Sequence, residues 1–186
     1  MVPAARSSYS GIVAYQGGEL HLSDAPGATA RIYGHSNARR WAWLHADLGG
    51  GDVLEIVAAV STRSALKQLP PLVFLRLRKN CETWPRRPER TAVGWAGLGR
   101  FKARIGLPVW TVTGRAGGRR IHVTITQPEE RTLAVDYTDP DGSTAVCHNS
   151  EAADAHVILE QRQGRAWRTE AEWTLKGTAH AEVGTR

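Results

Sequence analysis

Apolar and polar residues alternate with a period of two along most of the chain, which puts successive side chains on opposite faces of an extended backbone. Runs with this pattern predict strands at 10–15, 18–23, 28–36, 40–48, 52–60, 72–78, 91–96, 100–105, 109–113, 119–126, 131–137, 143–149, 154–161, 165–175 and 178–183. Turn chemistry joins many of them: Gln16-Gly17-Gly18, Gly49-Gly50-Gly51-Asp52, Ala116-Gly117-Gly118, Asp139-Pro140-Asp141-Gly142 and Gln163-Gly164. The only helical candidate of note is 61–69, a turn or two before Pro70-Pro71. No segment with a 3.6-residue period is long enough for a helix bundle or a parallel α/β sheet. The stretch WPRRPERT at 84–91 reads as an irregular loop, since its prolines cannot donate to a ladder. Short strands at near-regular spacing with Gly and Pro turns predict a sandwich or barrel. The expected fold is therefore all-β and antiparallel, with at most one or two short helices, in a single domain over 1–186.

One strand departs from simple alternation. Along 40–48 one face carries Trp41, Trp43, His45 and Asp47, and the other carries Ala42, Leu44, Ala46 and Leu48. An ordinary sandwich strand has one apolar face and one polar face. Here both are substantially apolar, and one is aromatic with a polar end. That pattern is expected where one face meets a packing layer and the other lines a cavity, because small-molecule pockets combine aromatic walls with a few convergent polar groups.

Composition narrows the function classes. No stretch approaches the roughly 20 apolar residues of a membrane-spanning helix, and the first 18 residues have no apolar core of a signal peptide. No integral membrane segment and a cytoplasmic location are the expectations. Cys81 and Cys147 have no partner spacing and read as reduced thiols. The seven histidines are dispersed, with no H-x-H or H-E-x-x-H spacing, so no metal is expected. GWAGLG at 94–99 lacks a G-K-[ST] and a following helix, and no G-x-S-x-G elbow occurs. No cofactor is expected. The net charge of +6 raises nucleic-acid binding. The charge is scattered, with denser spots at Arg86-Arg87-Arg90 and Arg119-Arg120, and no basic stripe interleaves with aromatics, so no nucleic-acid partner is expected.

Tyr33, Asn37, the run Arg39-Arg40-Trp41-Ala42-Trp43-Leu44-His45-Ala46-Asp47-Leu48 and the following Gly-rich turn carry a resemblance. So do Val109-Trp110-Thr111-Val112 with 120–126, Ala145-Val146-Cys147-His148-Asn149-Ser150 with 154–161, and Thr178-Ala179-His180-Ala181-Glu182-Val183-Gly184. In this order and spacing they resemble the later half of the tocopherol cyclase-like superfamily, which takes in the carotenoid hydratase and AttH types. The similarity covers about 30–186. It implies a lipocalin-like (calycin) antiparallel β-barrel that accepts isoprenoid or polyene substrates, with cofactor-free cyclisation or hydration by proton transfer in some members. Relatives usually contain two such halves, and this chain matches only the later one. The Trp-Gly that follows the Asn in relatives is absent, since Ala38 follows Asn37.

Candidate chemistry follows from these segments. Tyr33, His35 and Asn37 alternate on one strand face, where a Tyr/His pair can protonate an alkene or a quinone oxygen; the alternative is a rim cluster bonded to a loop. His45 and Asp47 share a face with Trp41 and Trp43, whose indoles can stabilise a cationic polyene; the alternative is a core strand whose end reaches solvent. Tyr33, His35, His45 and Asp47 are the catalytic candidates. Asn37, Trp41, Trp43, Glu55, Trp110, His148, Trp173, His180 and Glu182 are the substrate-binding candidates. Glu55 is either a buried acid or a residue of the barrel exterior. Trp84 and Trp95 flank the 84–91 loop as a candidate lid. The expected function is cofactor-independent cyclisation or isomerisation of a hydrophobic polyene, prenylated or polyketide substrate in the barrel lumen. The alternatives are a non-catalytic carrier of such a molecule, or one half of a two-barrel assembly formed as a homodimer or with a partner half-barrel.

Overall fold

The computed structural model describes residues 4–29, 38–63, 69–88, 100–139 and 141–186. The chain divides into two compact units, 1–34 and 35–186. The first is a hairpin of β1 (Ala4–Tyr15) and β2 (Gly18–Thr29) turning at the expected Gly17, whose φ is +118°. Both strands are longer than the alternation alone indicates.

The second unit is one antiparallel sheet. Its strands are β3 (Ala38–Gly49), β4 (Asp52–Ser61), β5 (Leu72–Lys79), β6 (Glu82–Trp84), β7 (Phe101–Arg104), β8 (Val109–Ala116), β9 (Arg119–Thr126), β10 (Leu133–Thr138), β11 (Thr144–Gln163) and β12 (Ala166–Thr185). The order across the sheet is β6-β5-β4-β3-β12-β11-β9-β8-β7, with β10 also paired to β11. A 3-10 turn at Glu129–Arg131 precedes β10, and no α-helix occurs among the described residues. The candidate helix 61–69 falls mostly outside the described residues, as do the strand 91–96, Trp95 and all of 28–36 beyond Thr29.

Four expected strands merge into two. The runs 143–149 and 154–161 form the 20-residue β11, and 165–175 and 178–183 form the 20-residue β12. Each bends where its pairing register slips, between Ser150 and Ala155 on β11 opposite Leu175 to Ala181 on β12. Irregularities of this kind bend a strand without ending it. The break in alternation at these points therefore marks a corner and not a loop.

The sheet curls toward closure without a final ladder among the described residues. Trp84, at the end of β6, meets Phe101 of β7 edge-on at 5.7 Å and donates its indole N–H to the Ala116 carbonyl at 2.9 Å. Trp84 is thus a buried bridge between the two sheet edges and not part of a lid. One hydrophobic cluster fills the inner side, with contributions from every strand of the sheet except β10. Much of it is alanine: Ala42, Ala46, Ala58, Ala153, Ala155, Ala179 and Ala181 are all essentially inaccessible. Three large rings, Trp84, Phe101 and Trp110, are buried in the same cluster.

Candidate functional site

Strand β3 settles which face is which. Ala42, Leu44 and Ala46 are fully buried in the inner cluster, while Trp41, Trp43, His45 and Asp47 are half-buried on the opposite face. The expectation that the indoles line the barrel lumen is corrected here. The inward positions of β3 are taken by Ala42, Leu44 and Ala46, so alternation puts both indoles on the outer side of the sheet.

That outer face is a lattice built by cross-strand register. One row runs Cys147, Gly184, Trp41, Ala59 and Leu72; the next runs Asn149, Glu182, Trp43, Val57 and Phe74; the third joins His180, His45, Glu55 and Arg76. Directly opposed residues of an antiparallel pair share a face. Strand β10 adds Leu133, Val135 and Tyr137 beside Asn149, Cys147 and Ala145.

Within this lattice His180 is the focus. Its ring stands edge-on to Trp43 with centroids 4.5 Å apart. Nε2 lies 3.5 Å from Oε1 of Glu182, and Nδ1 lies 3.4 Å from Oε2 of Glu151. Asn149 reaches both, 3.4 Å from His180 Nε2 and donating to Glu182 at 3.3 Å. Glu182 also accepts from the Cys147 thiol. Burial pushes that thiol up to about 12, and the Glu182 carboxylate adds to the shift. Burial, then Cys147 and Glu182, likewise raise Tyr137. An imidazole held between two carboxylates, with one ring edge against an indole, can accept and return a proton.

Glu55 is buried, at 5% exposure, and its charge is matched by Arg76, whose Nε donates to it at 2.6 Å. Both readings of Glu55 meet here: it is buried, and it lies on the outer face as half of an ion pair. His148 sits on the opposite face of β11 from Asn149, across from Val183, and is not part of the cluster. Trp110 is buried in the core and Trp173 packs against that core; both are on the inner side and outside the His180 cluster. Tyr33, His35 and Asn37 lie outside the described residues.

Sequence reasoning weighed Asn149 alongside His148 and missed Glu151, Cys147 and Tyr137. Their approach to His180 and Glu182 depends on the pairing of β10, β11 and β12, strands distant in the chain. No local spacing encodes that pairing. Among the described residues no group of three or more His, Cys, Asp or Glu side chains is placed to hold a metal ion, and no helix is long and apolar enough to cross a membrane.

A family model described as tocopherol cyclase-like matches residues 1–185. The chain belongs to the tocopherol cyclase-like family. The match takes in the β1–β2 hairpin, which extends the similarity beyond the region from 30 onward. Two curated relatives from Mycobacterium tuberculosis are each 45% identical over 160 residues: uncharacterized protein MT0513 of strain CDC 1551 / Oshkosh and uncharacterized protein Rv0493c of strain ATCC 25618 / H37Rv. The match covers 86% of this chain and 44% of each relative. The tocopherol cyclase-like chain thus spans less than half the length of these relatives.

Proposed function

We propose that the outer face of β10–β11–β12–β3–β4–β5 binds a hydrophobic, unsaturated small molecule and promotes its cyclisation or isomerisation without a cofactor. One observation carries this reading. The carboxylate-flanked imidazole of His180 is set against Trp43 in the middle of a face that leaves Val57, Leu72, Leu133, Val135 and Tyr137 exposed. Contiguous exposed apolar surface rimmed by polar groups marks a binding site. On this reading Trp41 and Trp43 are the wall that carries the substrate and favours positive charge developing on it. His180 relays the proton, with Glu182 and Glu151 orienting the ring and matching its charge. Tyr33 and His35 remain candidate acids of the same reaction, with His45 and Asp47 as supports.

The test uses prenylated quinols and linear polyenes, with binding followed by indole fluorescence and turnover by chromatography. His180→Gln and Glu182→Gln are expected to lower turnover by 100-fold or more, in line with loss of general acid–base catalysis, while binding changes by less than threefold. Tyr33→Phe and His35→Gln belong in the same assay. Tight binding by the native chain with no turnover of any substrate would favour the carrier reading. Absence of binding would reject both readings.

A further inference from the structure

A second feature uses none of these residues. The β8–β9 turn and the β11–β12 turn meet at a groove of about 540 Å³ lined by Arg100, Arg115, Gly117, Gly118, Arg162 and Trp167. Through the shared Arg100 and Arg115 it continues into a second groove of about 570 Å³, where Lys102, Arg120, His122 and Glu160 join the lining.

The arginines here fall into two groups. Arg119 and Arg120 are held in place: Arg119 makes a two-point contact with Glu170 at 2.6 and 2.8 Å, and Arg120 makes one with Glu160. Arg120 also lies 4.7 Å from the centroid of the Trp167 ring. The other group has no carboxylate. Arg100, Lys102 and Arg115 have no acidic partner among the described residues, and the Nε of Arg162 donates to the Gly164 carbonyl. Three such cations line each groove, Arg100 and Arg115 in both with Arg162 in the first and Lys102 in the second; they repel each other, and a multiply charged anion between them removes that cost.

The chemistry of the groove selects among anions. Guanidinium groups pair with phosphate oxygens through two parallel N–H donors, so several forks suit a ligand with many such oxygens. The volume exceeds one phosphate group. Trp167 lines the first groove and supplies an aromatic side chain for the non-phosphate part of a ligand. The Gly117-Gly118 turn has φ of +54° and +77° and contributes no side chain to block approach to its main chain.

We propose that this groove binds the phosphate groups of a diphosphate or phosphate ester, either a free metabolite or a lipid headgroup. The test is calorimetric titration of the full chain with sodium pyrophosphate, alongside sedimentation with phosphatidylglycerol vesicles. R115A/R162A removes two groove arginines. R165A/R168A removes two exposed arginines of the same β11–β12 hairpin that line neither groove, at equal cost in net charge. Pyrophosphate binding that falls tenfold or more in R115A/R162A and stays unchanged in R165A/R168A supports a soluble ligand. The same pattern with vesicles, and no pyrophosphate binding, supports a headgroup. Equal losses in both variants, or no binding of either probe by the native chain, overturn the proposal. So does a short DNA duplex that displaces pyrophosphate at a hundredfold lower concentration. None of these outcomes involves the His180 face, so the two proposals fail independently.

Discussion

At the scale of single residues, glycine–aromatic contacts recur across strands. A Cβ at Gly184 would overlap the benzo ring of Trp41, one at Gly114 would overlap Phe101, and one at Gly27 would collide with Tyr9. None of these glycines has a positive φ, so each is there for space and not for backbone freedom. The ring covers the bare main chain of the facing strand, a known way to stabilise glycine in a sheet. Gly184→Ala is therefore expected to displace Trp41 and cost about 1–3 kcal/mol, the usual range for overpacking. Urea denaturation and near-ultraviolet circular dichroism check both effects. The two cysteines give a second residue-scale prediction. Cys81 is exposed and Cys147 is buried with its thiol held protonated, up to about 12. The thiolate is the reactive form. A thiol titration of the native chain at pH 8 should count one rapid equivalent, which Cys81→Ser removes. The second should appear only on unfolding.

At the scale of elements, the strands were legible from alternation and the turns from their glycines, because both are local physics. Which face of β3 lies inside was not legible. Its two faces are comparably apolar, and the choice is made by neighbours: Ala181 stands beside Leu44 and Val183 beside Ala42. The corner in β11 and β12 was hidden for the same reason, since it depends on a clamp from outside both strands. Arg131 donates to the Ala152 carbonyl at 2.8 Å and contacts Asp154, and the Ser150 hydroxyl donates to the Arg131 carbonyl at 2.6 Å. Asp154 also accepts the Gly177 N–H at 2.7 Å, where φ is +65°. Burial pushes the Asp154 carboxyl up, but the Gly177 N–H, Arg131 and Lys176 outweigh it and hold it below its ordinary value. A carboxyl with a lowered folded-state value adds stability above its unfolded value and loses it as pH falls through the folded one. The Asp154 contribution should therefore be intact at neutral pH and fade below about pH 4. Asp154→Ala is expected to cost about 1–3 kcal/mol at pH 7, and the gap from the native chain should narrow toward pH 2. Denaturation curves at pH 7, 4 and 2 read this directly.

At the scale of the whole molecule, the distribution of exposed apolar side chains decides between a solvated outer surface and a binding face. In the unit 35–186 the large exposed hydrophobics are Val57, Leu69, Leu72, Leu107, Val109, Leu133, Val135 and Tyr137 among the described residues, and five of these eight belong to the His180 face. A surface that only met water would scatter them. If the face is open in this chain, an environment-sensitive apolar dye should bind it in the native state. Leu72→Lys with Val135→Lys should then cut dye fluorescence several-fold. The melting temperature should move little, because exchanging exposed side chains usually changes stability by about 0.5 kcal/mol or less. A large loss of stability would instead mean that Leu72 and Val135 are packed within the molecule. The substrate surface would then have to be sought elsewhere. Retained stability with lost dye binding would place the dye on the surface proposed for the substrate, and a prenylated quinol should then displace it.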